Sequence, residues 1–323
     1  FIMEKIKSAE INKVIKAKFR KMTYAEIGKL VNLDSEVIRG RARRMGLTGG
    51  VKKEPKYSYL IKKDEELKNN IRPIRLNQQT LHLNKGANSA DVMFIGDVHW
   101  GSPQCDKARF LRAVDYCLEN NVYVMLMGDL IEVGTKDSVG AGVYEQESSG
   151  QCQYEQVVDI LKPLADKKLI LGLHNGNHEE RVYKSSGVNV SKMFARELGV
   201  RYLGDACWSK FKVGQQTYTI YSLHGRTGSR FDGTALLALE RISTSFFCDL
   251  MAQGHSHKLI SSTVLIQRIE NNLVKEHKKT LLITGSFLKY DGGYGQTLGL
   301  PISKLGCPKV TFFSNKKDIH IEW

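Results

Sequence analysis

The stretch DVMFIGDVHW, residues 91–100, decides how the rest of the chain is read. An apolar run from Val92 to Ile95 stops at Gly96, and two residues with ligand chemistry, Asp97 and His99, follow at once. A short continuous apolar run bounded by glycine reads as a buried strand. The same grammar recurs downstream. Leu126 leads into Gly128-Asp129, Leu171 into Gly176-Asn177-His178-Glu179, Ile220 into His224, and Met251 into Gly254-His255-Ser256-His257. Strands that end in polar ligands can converge at one edge of a sheet. Collected there, two Asp, one Asn and four His make a pocket for two divalent cations. Segments 106–120, 153–167 and 188–198 read as helices between the strands, and this alternation predicts an α/β domain.

The chemistry of such a set is specific. A phosphodiester resists hydrolysis because its negative charge repels an anionic nucleophile. Two cations about 3.5–4 Å apart offset that charge and deprotonate a water between them. A carboxylate able to bridge is needed, and imidazoles suit Mn, Fe and Zn better than Mg or Ca. Taken singly, each motif has a bland reading as a strand-end turn, a loop or a satisfied core histidine. Five of the nine histidines occupy the motif positions, so chance placement of the whole ordered set is a poor explanation.

The ordered set Asp-x-His, Gly-Asp, Gly-Asn-His-Glu, His, Gly-His-x-His resembles the calcineurin-like metallophosphoesterase superfamily, which includes Mre11-like nucleases. The resemblance implies a four-layer α/β/β/α sandwich, two mixed sheets flanked by helices. It implies that Asp97, His99 and His257 bind a first metal, that Asn177, His224 and His255 bind a second, and that Asp129 bridges them. It implies an attacking hydroxide between two divalent ions, Mn first, with Fe or Zn as alternatives. His178 stands at the leaving group as acid or charge stabiliser. Glu179 is expected to orient His178 by accepting from its other ring nitrogen. Arg181 and Arg226 follow the ligand turns; each either binds a substrate phosphate or pairs with an acidic neighbour. The Gly-rich segment from Tyr290 to Gly295 lacks a following Lys-Ser/Thr helix, so it is no P-loop.

Charge is unevenly placed. The chain carries a net charge of +14. Residues 1–75 hold 20 Lys and Arg against 9 Asp and Glu, whereas residues 76–323 hold 28 against 25. A basic first quarter points to a polyanionic partner, with nucleic acid foremost. Apolar spacing at Ile6, Ile11, Val14, Ile15 and Phe19 predicts a helix over 4–21. Thr23-Tyr-Ala-Glu26 is a capping box that starts a second helix through Ile27 and Leu30. A third runs from about Glu36 to Met45 with Val37 and Ile38 inward, and it carries Arg39, Arg41, Arg43 and Arg44. These helices resemble the helix-turn-helix modules attached to phage and bacterial proteins, in which the third helix enters the major groove. The four arginines are then DNA contacts. The alternative is a small bundle for protein contacts.

Three regions result: a helix-turn-helix module at 1–50, a linker at 51–75 and a dinuclear phosphoesterase domain at 76–323. No apolar run reaches the ~18 residues needed to span a bilayer, and six scattered cysteines without a C-x-x-C pair read as reduced thiols. A cytoplasmic setting in a bacterial or phage-infected cell is expected, with DNA as partner and a homodimer as an option. The leading expectation is a DNA nuclease. The rivals are a phosphomonoesterase or protein phosphatase, and a DNA-binding regulator whose metal domain is not catalytic.

Overall fold

Side-chain alternation along a few strands sets the layers of the larger unit. In β2 (Ser89–Ile95), Val92 and Phe94 point one way and Met93 and Ile95 the other, and all four are buried. A strand buried on both faces must lie between two layers. β3 (Tyr123–Leu126) and β4 (Ile170–His174) behave alike. The structure, a computed structural model, describes residues 8–48, 76–84, 86–136, 138, 143–225 and 231–323. The chain divides into two compact units, Phe1–Ile74 and Arg75–Trp323. The expected linker at 51–75 lies outside the described residues.

In the larger unit, β5 (Tyr202–Gly204), β11 (Lys309–Phe313) and β12 (Ile319–Glu322) complete one six-stranded mixed sheet in the order β12-β11-β2-β3-β4-β5. The second sheet has the order β1-β6-β7-β8-β10-β9. Its strands are β1 (Asn77–Leu81), β6 (Ala206–Val213), β7 (Gln216–Leu223), β8 (Leu250–Gln253), β9 (Leu259–Glu270) and β10 (Leu273–Thr284). Between the sheets pack Val92, Phe94 and Met125 from one side and Phe211, Tyr218, Ile220 and Leu250 from the other. Tyr218 and Phe211 meet Phe312 edge-on, with centroids 5.0 and 5.8 Å apart. Each such pair adds about 0.5–1.5 kcal/mol beyond its area burial.

Helices α4 (Lys107–Asn120), α5 (Gly150–Asp166), α6 (Asn177–Ser186) and α7 (Val190–Glu197) follow β2 to β4. Phe110, Val157, Leu161 and Phe194 from α4, α5 and α7 cover the outer face of the first sheet. Helix α8 (Asp232–Ser243) covers the second through Ala235 and Leu239. The result is the α/β/β/α sandwich expected from sequence. A short helix, α9 (Tyr294–Thr297), lies in the segment after β10. Parallel pairing aligns β2, β3 and β4 in one sheet and β7, β8 and β10 in the other. All five ligand motifs therefore leave carboxyl ends of parallel strands.

The smaller unit holds α1 (Ser8–Lys18), α2 (Tyr24–Val31) and α3 (Ser35–Arg44) around Ile11, Ile15, Ile27, Val31 and Ile38. The capping box is formed: Thr23 Oγ1 accepts from Glu26 N at 3.2 Å and Thr23 N donates to Glu26 Oε2 at 2.7 Å. The turn between α2 and α3 folds back so tightly that a Cβ at Gly28 would collide with the carbonyl of Leu33. Val37 is 42% exposed, against the inward placement expected. Successive helical residues are about 100° apart, so seating Ile38 at 0% exposure turns Val37 outward.

Candidate metal centre

Each ligand sits in a loop whose backbone is locked to its neighbours. Asp97 N donates to Gly128 O at 3.0 Å, and Val98 N and His99 N both donate to Asp129 O at 2.8 and 3.0 Å. His255 N donates to Asp97 Oδ2 at 2.9 Å. Ser286 Oγ and Phe287 N both donate to Asp97 O at 3.0 Å. Asp97, His99, Asp129, His255 and His257 all hold left-handed backbone, with φ of 49°, 52°, 50°, 67° and 54°. A non-glycine residue there is strained, and such residues cluster where surrounding structure over-determines a site. Gly176 has no such φ but is equally obligatory, because a Cβ there would strike Asp129 N and the Glu179 carboxylate.

Three groups of side chains come together closely enough to hold an ion: Asp97, His99 and His257; His99, Asp129 and His178; and Asp129, His224 and His255. All but His178 were expected as ligands. The hydrogen bonds fix which ring nitrogens face inward. His224 Nδ1 lies 2.8 Å from Met127 O, a carbonyl that can only accept, so Nδ1 carries the proton. Its Nε2 then faces Asn177 Oδ1 at 2.9 Å and Asp129 Oδ2 at 3.3 Å. His99 Nδ1 donates to Glu132 Oε2 at 3.0 Å, leaving Nε2 to face His257 Nε2 at 3.1 Å. His257 Nε2 lies 3.2 Å from Asp97 Oδ1, and His255 Nδ1 lies 2.6 Å from Asn177 Oδ1. Lone pairs thus converge on lone pairs in a buried place. Only a proton or a cation makes that arrangement favourable, and the mixed N/O donor set fits divalent metal.

Electrostatics says the same. Burial pulls the His224 imidazole down, but Asp129 beside it more than offsets this and lifts its pKa to about 10. Burial raises Asp129, yet His224 and His178 hold it well below the usual carboxylate range. Asp97 is held low by His257 in spite of burial. Each shift reports a cradle that favours positive charge beside its carboxylates.

His178 reaches the same cradle, with Nε2 3.9 Å from Asp129 Oδ2. Burial outweighs the nearby carboxylates and lowers its pKa to about 4. Its Nδ1 donates to the backbone carbonyl of Glu132 at 2.6 Å. Glu179 does not accept from that ring, contrary to the sequence expectation. Its carboxylate accepts from the backbone N–H groups of Asp129, Leu130 and Ile131 at 3.1, 2.8 and 3.3 Å. The two are adjacent on α6, and adjacent helical side chains do not face one another. Glu179 therefore holds the Asp129 loop. Burial and the Asp129 charge push its pKa up to about 7.

Glu132 was missed by sequence reasoning. It is buried, and it ties His99 through its carboxylate and His178 through its carbonyl. The signal was an acid three residues after Asp129. Val133, with a left-handed φ of 42°, is pinned by Gln153 Oε1, which accepts from its N–H at 3.0 Å. His174 is buried between Gly204 O and Ser222 Oγ, below the ligands. Arg181 lines the cleft with His178, and its Nη1 is 3.5 Å from Ser138 Oγ. Arg226 lies outside the described residues. In the smaller unit, Arg41 donates to Ser8 Oγ at 3.0 Å and braces α3 against α1. Arg39 pairs with Glu36 at 2.8 Å, while Arg43 and Arg44 are exposed.

With this geometry in place, comparison with known proteins assigns a family. Residues 90–285 match the calcineurin-like phosphoesterase family, and the chain belongs to it. That family acts on phosphoesters with divalent metals. Among solved structures, the chain is similar to vacuolar protein sorting 29 from Cryptosporidium parvum. The identity is 16% over 73% of this chain and 98% of that one, with a TM-score of 0.38. It is also similar to a metallophosphoesterase from Sphaerobacter thermophilus, at 14% identity over 72% and 87% of the two chains and a TM-score of 0.33. Comparison with curated proteins returns no match. Among the described residues, no helix is long and apolar enough to cross a membrane.

Proposed function

We propose that the protein is a two-metal phosphodiesterase acting on DNA, a nuclease. The observation that carries the chemistry is the convergence of inward-facing ring nitrogens on Asp97, Asp129 and Asn177 oxygens. Asp97, His99 and His257 would hold one divalent ion, and Asn177, His224 and His255 the other, with Asp129 between them. Manganese suits this imidazole and carboxylate set, with Fe or Zn as alternatives. Bound ions supply charge that offsets the phosphate and lowers the pKa of water. Asn177, a neutral oxygen ligand, keeps negative charge down where a phosphate must sit. With Nδ1 fixed on the Glu132 carbonyl, His178 has Nε2 left to handle a proton or developing charge at the leaving oxygen. The Arg181 guanidinium can meet phosphate oxygens with two parallel N–H groups.

Support for DNA lies in the basic first quarter, where exposed Arg43 and Arg44 stand on the third of three short helices, which we read as a helix-turn-helix. Such a unit would hold the enzyme on its substrate in the cytoplasm of a bacterial or phage-infected cell. The test is incubation of the purified chain with labelled DNA in Mn²⁺ or EDTA. Cleavage in Mn²⁺ alone is expected. If p-nitrophenyl phosphate is hydrolysed and no DNA is cut, the monoesterase reading replaces this one.

A further inference from the structure

Away from the ligand cradle, a cleft of about 780 Å³ runs out over the segment that follows β10. Its far wall is apolar, built by Leu288, Leu298, Leu300, Pro301, Ile302 and Leu305. Two of these side chains have no core behind them: Leu298 is 41% exposed and Ile302 is 76% exposed. Apolar side chains left in water beside a polar site mark a binding surface. The near wall is polar, with Ser102, His178 and Arg181 beside the carboxylates of Asp129 and Glu132, and exposed Lys289 stands at the rim.

The wall is fixed relative to the metal ligands. Lys289 N donates to Gln104 O at 2.8 Å, and Gln104 Nε2 donates to Gly292 O at 3.1 Å. Buried Lys258, next in sequence to the ligand His257, donates to Ser303 Oγ at 2.9 Å. Gly306 N donates to Ser286 O at 2.8 Å, and Ser286 Oγ in turn holds Asp97 O.

We propose that this wall seats the base next to the scissile phosphate, so that the enzyme takes an unpaired strand or strand end in preference to intact duplex. The inference rests on the phosphodiester reading above. A volume of about 780 Å³ falls in the range of pockets that enclose small ligands. That is about the room of one or two nucleotides, and a base that rests on the wall has left its stack and its pair. Every base has an apolar face that rests on apolar or aromatic side chains. The six wall residues carry no side-chain hydrogen-bonding group, so the wall itself reads no base edge.

The experiment uses the full chain in Mn²⁺ with one labelled oligonucleotide, single-stranded or as a blunt duplex, and with p-nitrophenyl phosphate alongside. The single strand is expected to be cut at least about tenfold faster than the duplex. Ile302→Glu and Leu298→Glu should each raise KM for the single strand about tenfold, the scale of one lost base contact. The change should fall on KM and not on kcat, and Ile302→Leu should restore it. Equal cutting of duplex and single strand overturns the proposal. So does an unchanged KM in both glutamate variants while wild type cuts DNA. Hydrolysis of p-nitrophenyl phosphate with no oligonucleotide cut instead removes the phosphodiester reading on which the proposal stands.

Discussion

The metal cradle and the third helix of the smaller unit use charge in opposite ways. In the cradle, Asp97, His99, Asp129 and His224 are at most 3% exposed, and loop backbones clamp the first three in left-handed conformations. On α3, Arg43 and Arg44 stand in solvent on a regular helix, and only Arg41 is drawn into the packing. Burial makes each charge expensive unless a partner answers it, so the cradle specifies its ligand closely. Exposure makes each charge cheap and weakly committed, so the helix specifies only that its partner be anionic. The reaction class is therefore read from the first region and the substrate is inferred from the second.

Breaking the bridge of the cradle should have the largest effect. Asp129→Ala removes the carboxylate that faces both ligand groups. Several kcal/mol of charge stabilisation is at stake, so turnover should fall by at least about a thousandfold. Metal content, read by elemental analysis, should fall with it. Full metal content and normal turnover would remove Asp129 from the ligands and from the chemistry.

A smaller effect is expected one step out. Glu132→Ala frees the ring of His99 while leaving every candidate ligand in place, and the backbone carbonyl that accepts from His178 stays. Loss of such a supporting acid costs about 10–100-fold in metal affinity or activity. Metal titration followed by calorimetry checks this, and unchanged affinity would limit Glu132 to packing.

The other side of the comparison predicts the mildest change. Arg43→Ala with Arg44→Ala should weaken DNA binding about equally across sequences. It should also lower the slope of log affinity against log salt by about two. Metal content should not move. An unchanged slope would take DNA off the α3 surface.

Much of this was legible in residues 91–100 and their four echoes. Apolar runs ending in ligands predict strands whose carboxyl ends meet, and the sheets place them so. The capping box of Thr23 and Glu26 was equally legible, because capping is local chemistry. Glu179 was misread because its role was carried over from the resemblance, whereas here the helix turns it away from its neighbour His178 and onto the Asp129 loop. Glu132 was missed because its value comes from two histidines that are 33 and 46 residues away. The left-handed ligands were illegible too, since Asp and His carry no signal for positive φ as strong as that of glycine.

The sequence by itself determined the candidate ligands, the alternation of strands and helices around them and the basic character of the first quarter, because these depend on residue type and local spacing. Only the tertiary structure decided which nitrogen of each histidine faces inward, what Glu179 and Glu132 hold, and which apolar wall closes the cleft. Those follow from contacts between loops brought together by two sheets, and no local pattern encodes a distance across the gap.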